Sequence, residues 1–156
     1  MNMIEILKEI QIGIQPLLDE GQVADYIPEL AHISPTKFGM AVLTNEGEQF
    51  QVGDAAEKFS IQSISKLFTL TLAMQLEGDA IWDRIGREPS GTAFNSLVQL
   101  EYENGIPRNP FINAGALVVT DMILSHLDDA QETVLEFVRK LANNEKLEFD
   151  LEVARS

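Results

Sequence analysis

Two segments of helix length, residues 63–76 (SISKLFTLTLAMQL) and 113–127 (NAGALVVTDMILSHL), are apolar around most of their circumference. A helix without a wide polar face has to be enclosed, so the chain must wrap other elements around this pair. Gly78 predicts the end of the first, and Asn113 is placed to open the second as its cap.

The rest of the chain supplies candidates for that wrapping. Ile6, Leu7, Ile10, Ile14, Leu17 and Leu18 recur near a helical period, which predicts a helix from residue 3 to about 20, stopped by Gly21. VADYIPELAHISP, interrupted by Pro28 and Pro35, reads as loop or partial helix. FGMAVLTNEGEQFQVGD reads as a hairpin turning at Asn45-Glu46-Gly47. DAIWDRIG is a short amphipathic turn, and REPSGTAFNSLVQLEYENGIPRNP an ordered loop with one helical turn. DDAQETVLEFVRKLANN predicts a surface helix capped by Asp129, with Glu132 in its first turn and Arg139 and Lys140 near its end. The tail EFDLEVARS begins another helix-like pattern and is cut off.

Composition narrows the function classes. The 156 residues suffice for one domain, or part of a larger one, with a real core. With 25 acidic against 11 basic residues the formal net charge is -14. Such a surface repels phosphate backbones and anionic membranes, which argues against nucleic-acid and membrane partners. The absence of cysteine excludes disulfides and thiolate chemistry, and His32 and His126 are too few for a histidine metal cluster. No apolar run is long enough to span a bilayer. The N-terminus lacks the basic start and cleavage site of a signal peptide, so a cytoplasmic location is expected.

One stretch carries chemistry. FSIQSISKLF sets Ser63 three residues before Lys66 on a segment that otherwise reads as core. On a helix, i and i+3 share a face, so the Lys66 amine can reach Ser63 Oγ. Ser63 would lie in the first turn, where free N–H groups and the helix dipole favour developing negative charge. Ile61, Ile64, Leu67, Phe68 and Leu70 imply burial, which lowers a lysine pKa and makes the amine available as a base. From spacing alone the commoner reading is a capping serine and a snorkelling lysine. Ser34-Pro35-Thr36-Lys37 has the same spacing, but it leads into a strand, where the lysine would not sit over the serine.

FSIQSISKLF, followed at a distance by NSLVQLEYENGIPRNPFINAGALVVTD and preceded by YIPELA, resembles the serine-dependent glutaminase family. The matches are in order and span most of the chain. The resemblance implies an α/β fold of the α+β kind, similar to the β-lactamases and penicillin-binding proteins, with helices packed on an antiparallel sheet. It implies hydrolysis of L-glutamine to L-glutamate and ammonia without metal or cofactor. Carried over by residue, Ser63 is the nucleophile and Lys66 its general base, while Tyr26, Gln62, Ser63 and Asn113 contact substrate. Each of the last group also has a structural reading: Tyr26 as a packed loop aromatic, Gln62 as a first-turn residue, Asn113 as a helix cap. His32 and His126 receive no role.

The family pattern continues past VARS, with further acidic, asparagine and tyrosine positions in the pocket. Residues 1–156 are therefore expected to form a single domain, the N-terminal portion of a glutaminase catalytic domain, incomplete at its C-terminal side and inactive alone. The complete enzyme is expected to be a homo-oligomer, a dimer or tetramer. Two rivals stand beside this reading. A β-lactamase or penicillin-binding enzyme shares Ser-x-x-Lys, but no Ser-Asp-Asn or Lys-Thr-Gly is present. A non-catalytic half-domain could instead dock its acidic face on a partner.

Overall fold

The computed structural model describes residues 2–96 and 98–155, with the side chains of Val98 and Gln99 set aside. The chain forms two compact units, residues 1–60 with 150–156, and residues 61–149.

In the first unit, helix α1 covers Met3–Ile14 and passes into a 3-10 turn at Gln15–Leu17. The helix is shorter than its apolar pattern predicts because Pro16 has no N–H to donate, and its ring collides with the preceding turn. Strands β1, Gly39–Leu43, and β2, Gln49–Gly53, pair antiparallel. Their register sets Met40 opposite Val52 and Val42 opposite Phe50. These four side chains share the more buried face of the hairpin. The turn is closed by Gly47 N–H donating to Thr44 O (3.0 Å) and Glu48 N–H donating to Thr44 Oγ1 (3.2 Å). α1 packs on β2, and Leu7 and Val52 are buried.

The second unit holds the two apolar helices. A 3-10 turn, Gln62–Ile64, leads into α2, Ser65–Glu77. As expected, Gly78 ends α2, at φ 59, a conformation a β-carbon would strain. A second 3-10 stretch, Gly78–Asp83, follows, and α3, Val98–Tyr102, is the one helical turn of the long loop. Next come α4, Asn113–His126, and α5, Ala130–Ala142. The Asp129 side chain caps α5 by accepting from Glu132 N–H, and Asn143 closes it in the left-handed conformation.

α2 packs on α4 and α5, around a core that includes Leu70, Leu72, Ala73, Ile81, Ile85, Val119, Met122 and Ile123. Only one side of α2 is enclosed. Ile64, Leu67 and Met74 recur at helical spacing on its other side and are exposed. The all-round burial suggested by the composition of residues 63–76 therefore does not hold.

Two bridges fix how α2 and α4 run. Lys66, at the start of α2, bonds Asn113, at the start of α4. Glu77, at the end of α2, bonds His126, at the end of α4, at 3.0 Å. Start meets start and end meets end, so the helices lie side by side in parallel.

Candidate active site

The parallel arrangement brings two helix N-termini to the same end of the second unit, and Lys66 lies between them. Its amine donates to Asn113 Oδ1 at 2.7 Å and to Phe111 O at 3.0 Å. The ammonium form can only donate, which matches an Asn113 side chain that presents its oxygen to Nζ. Nζ also lies 5.6 Å from the centroid of the Phe94 ring.

Burial pushes the Lys66 amine below the usual lysine range. The partial positive charge at both helix starts disfavours the ammonium and acts in the same direction. The two acceptors favour the ammonium and oppose it. A neutral amine has two N–H bonds and one lone pair. With Phe111 O and Asn113 Oδ1 occupying both N–H bonds, the lone pair is left to receive a proton.

Ser63 is the middle residue of the 3-10 turn, two residues ahead of the start of α2, and is exposed. This differs from a place in the first α-helical turn, as does the amine's direction: Lys66 bonds Phe111 and Asn113, and no hydrogen bond joins it to Ser63. The tighter 3-10 winding changes where Ser63 points relative to Lys66. The surroundings are also less buried than the sequence implied, with Ile64 at 57% and Leu67 at 53% exposure. The first bond of the turn runs from Ile64 N to Ile61 O at 2.9 Å, which leaves the Ser63 N–H ahead of it.

Gln62, beside Ser63, has φ 41. That is the left-handed region, where the Cβ of any residue other than glycine crowds the backbone at a cost of about 1–2 kcal/mol. Strain of this kind concentrates where a backbone is held for function.

Asn113 does not cap its helix. It is the first residue of α4, the cap position is Ile112, and its side chain is turned to Lys66. Its backbone N–H donates to Phe94 O at 2.9 Å. Asn109 instead fixes the turn ahead of the helix, since its Oδ1 accepts from the N–H groups of Phe111 (3.0 Å) and Ile112 (3.1 Å). Sequence reading missed Asn109, Phe94 and the Phe111 carbonyl. The Asn-Pro pair at 109–110 is a turn signal that could have pointed to the first. Tyr26 lies in the first unit and is 72% exposed.

The second Ser-x-x-Lys behaves as its strand context predicts. Ser34 Oγ bonds Thr36 Oγ1 at 2.8 Å, and Lys37 pairs with Glu57. That hydrogen bond holds Lys37 above the usual lysine range, the reverse of Lys66. Among the described residues, no helix is long and apolar enough to cross a membrane.

Residues 21–156 match a family model described as Glutaminase. The chain is 59% identical over 156 residues to a glutaminase of Ralstonia nicotianae, covering 100% of this chain and 51% of that protein. Among solved structures it is similar to a probable glutaminase of Bacillus subtilis, with TM-score 0.84 and 29% identity over 99% of this chain and 47% of that one. Another, that organism's probable glutaminase complexed with 6-diazo-5-oxo-L-norleucine, aligns with TM-score 0.80 and 26% identity over 99% of this chain and 46% of that one. The chain thus spans about half the length of the relatives it matches.

Proposed function

The chain belongs to the glutaminase family, and on that premise we propose that it carries the nucleophile and base of an enzyme hydrolysing L-glutamine to L-glutamate and ammonia. The observation that carries the reading is the Lys66 amine, held by Asn113 Oδ1 and Phe111 O with its lone pair left over. Ser63 Oγ attacks the side-chain carboxamide carbon while Lys66 takes its proton. The Ser63 N–H and the positive ends of α2 and α4 stabilise the tetrahedral oxyanion. Lys66 returns the proton to the departing nitrogen, which leaves as ammonia. Water then attacks the γ-glutamyl ester on Ser63, with the same amine as base, and releases glutamate.

Tyr26, Gln62, Ser63 and Asn113 contact the substrate in this scheme. Asn113 would serve both the amine and glutamine, since its Nδ2 can donate while its Oδ1 accepts. The chain forms the N-terminal portion of one catalytic domain, and the complete enzyme acts in the cytoplasm as a homo-oligomer, a dimer or tetramer. The acidity of these 156 residues, a net charge of -14, argues against nucleic-acid partners.

The test is ammonia release from L-glutamine by the complete enzyme and by its Ser63→Ala variant. Turnover should fall at least about a thousandfold, with glutamine binding retained, because the nucleophile is lost and little of the pocket with it. Ser65→Ala should stay close to the parent protein. Equal loss in both variants would move the nucleophile away from Ser63.

A further inference from the structure

Two of the atoms that hold Lys66 belong to the short turn 109–113, and one side chain ties that turn down at both ends. Asn109 Nδ2 donates to Glu88 O at 2.9 Å, anchoring the turn to the segment 86–90. That segment is itself bonded to the turn's approach, through Gly86 N–H to Pro107 O and Glu88 N–H to Arg108 O, both 2.8 Å. At the other end, Asn109 Oδ1 accepts from Phe111 N–H and Ile112 N–H. The Asn109 carbonyl also lies against α4, where a β-carbon on Gly115 would come within 1.9 Å of it. Only glycine permits that approach.

We propose that Asn109 is a positioning residue for the Lys66 amine, a role that rests on reading Lys66 as the base. By bonding Phe111 N–H and Ile112 N–H, the amide fixes the peptide planes on either side of Phe111. The Phe111 carbonyl then points at Nζ, and α4 starts where Asn113 Oδ1 completes the pair of acceptors. Asn109 touches neither Lys66 nor the reacting atoms; it acts through the turn. Of its two functions the acceptor is the essential one, since the Nδ2 bond secures a segment already held by two main-chain bonds.

The experiment compares Asn109→Ala, Asn109→Gln and Asn109→Asp in the complete enzyme, with circular dichroism to confirm folding. Aspartate keeps an acceptor at the same reach. Glutamine keeps the amide but sets it one methylene too far for the i+2 and i+3 bonds, and it replaces alanine if the latter does not fold. Alanine and glutamine should speed deuterium exchange at the Phe111 and Ile112 amides. They should also raise the acylation rate of Lys66 by an activated ester at least about threefold, because a released amine reaches solvent. In the kinetic arm kcat should fall about tenfold, with KM changed little, as expected when positioning and not binding is lost. Aspartate should restore Lys66 labelling and kcat to near the parent values. Unchanged Lys66 labelling beside faster exchange at Phe111 and Ile112 would overturn the proposal. If the complete enzyme containing these residues turns over no glutamine, the glutaminase reading fails, and the labelling arm still decides the role of Asn109.

Discussion

Lys66 and Asn113 join the starts of two parallel helices through a 2.7 Å hydrogen bond from amine to amide oxygen. The bond joins a charge-bearing group to a neutral one, which leaves the amine free to be deprotonated. Asn113→Asp changes that at constant size. A carboxylate at this distance favours the ammonium and raises the Lys66 pKa. The alkaline rise of kcat/KM should therefore move to higher pH, with about tenfold or greater loss at neutral pH. A pH–rate profile of the variant checks it, and an unmoved limb would mean that Lys66 is not the titrating base.

Lys66→Arg keeps the charge but cannot lose its proton near neutral pH, so kcat should fall at least about a hundredfold. In the parent protein the rising limb should lie below the usual lysine range, in the direction burial moves this amine. The sign follows from the base form: lowering the pKa enlarges the neutral fraction at a given pH, and activity increases with pH through that pKa. Near-parent kcat in Lys66→Arg would make the residue a structural charge.

Gln62 offers a test of stored strain. At φ 41 a glycine is at ease and an alanine is not. Gln62→Gly should therefore unfold at higher denaturant than Gln62→Ala, by about 1 kcal/mol. Both should lose substrate affinity equally if the side chain contacts glutamine. Equal stabilities would show that the backbone here relaxes without cost.

Residues 1–156 on their own should release ammonia from glutamine far more slowly than a full-length relative assayed beside them. Ser63 is exposed, Leu67 and Ile64 beside it are open to water, and charge development is stabilised poorly in a wet site. Comparable rates per active site would show that this half of the family's length carries a complete centre.

How much could be read in advance depended on how local each cause was. The hairpin, the Gly78 stop and the Asp129 cap follow from residues within a turn of one another, and all are present. α1 was overextended because its apolar spacing continues through Pro16, where the backbone cannot. The site depended on pairs far apart in sequence. That Lys66 would bond the turn 109–113 could not be deduced from Ser-x-x-Lys spacing, which measures only what one helix brings together. Asn113 was singled out through the family resemblance, but its helical position and its turn toward Lys66 required the second helix. Asn109 escaped notice because its effect on Lys66 passes through main-chain atoms.

The bond from Lys66 to the Phe111 carbonyl has a bearing on how this protein can vary. The acceptor is an atom every amino acid possesses, so no codon change at position 111 can delete it. The ring itself is 51% exposed, and natural drift is free to replace it while the amine keeps its partner. Selection would bear instead on whatever sets the orientation of that peptide plane, namely Asn109, the glycine at 115 and the start of α4. Sequence variability at residue 111 would then leave the contact intact, invisible to any comparison that looks only at side chains.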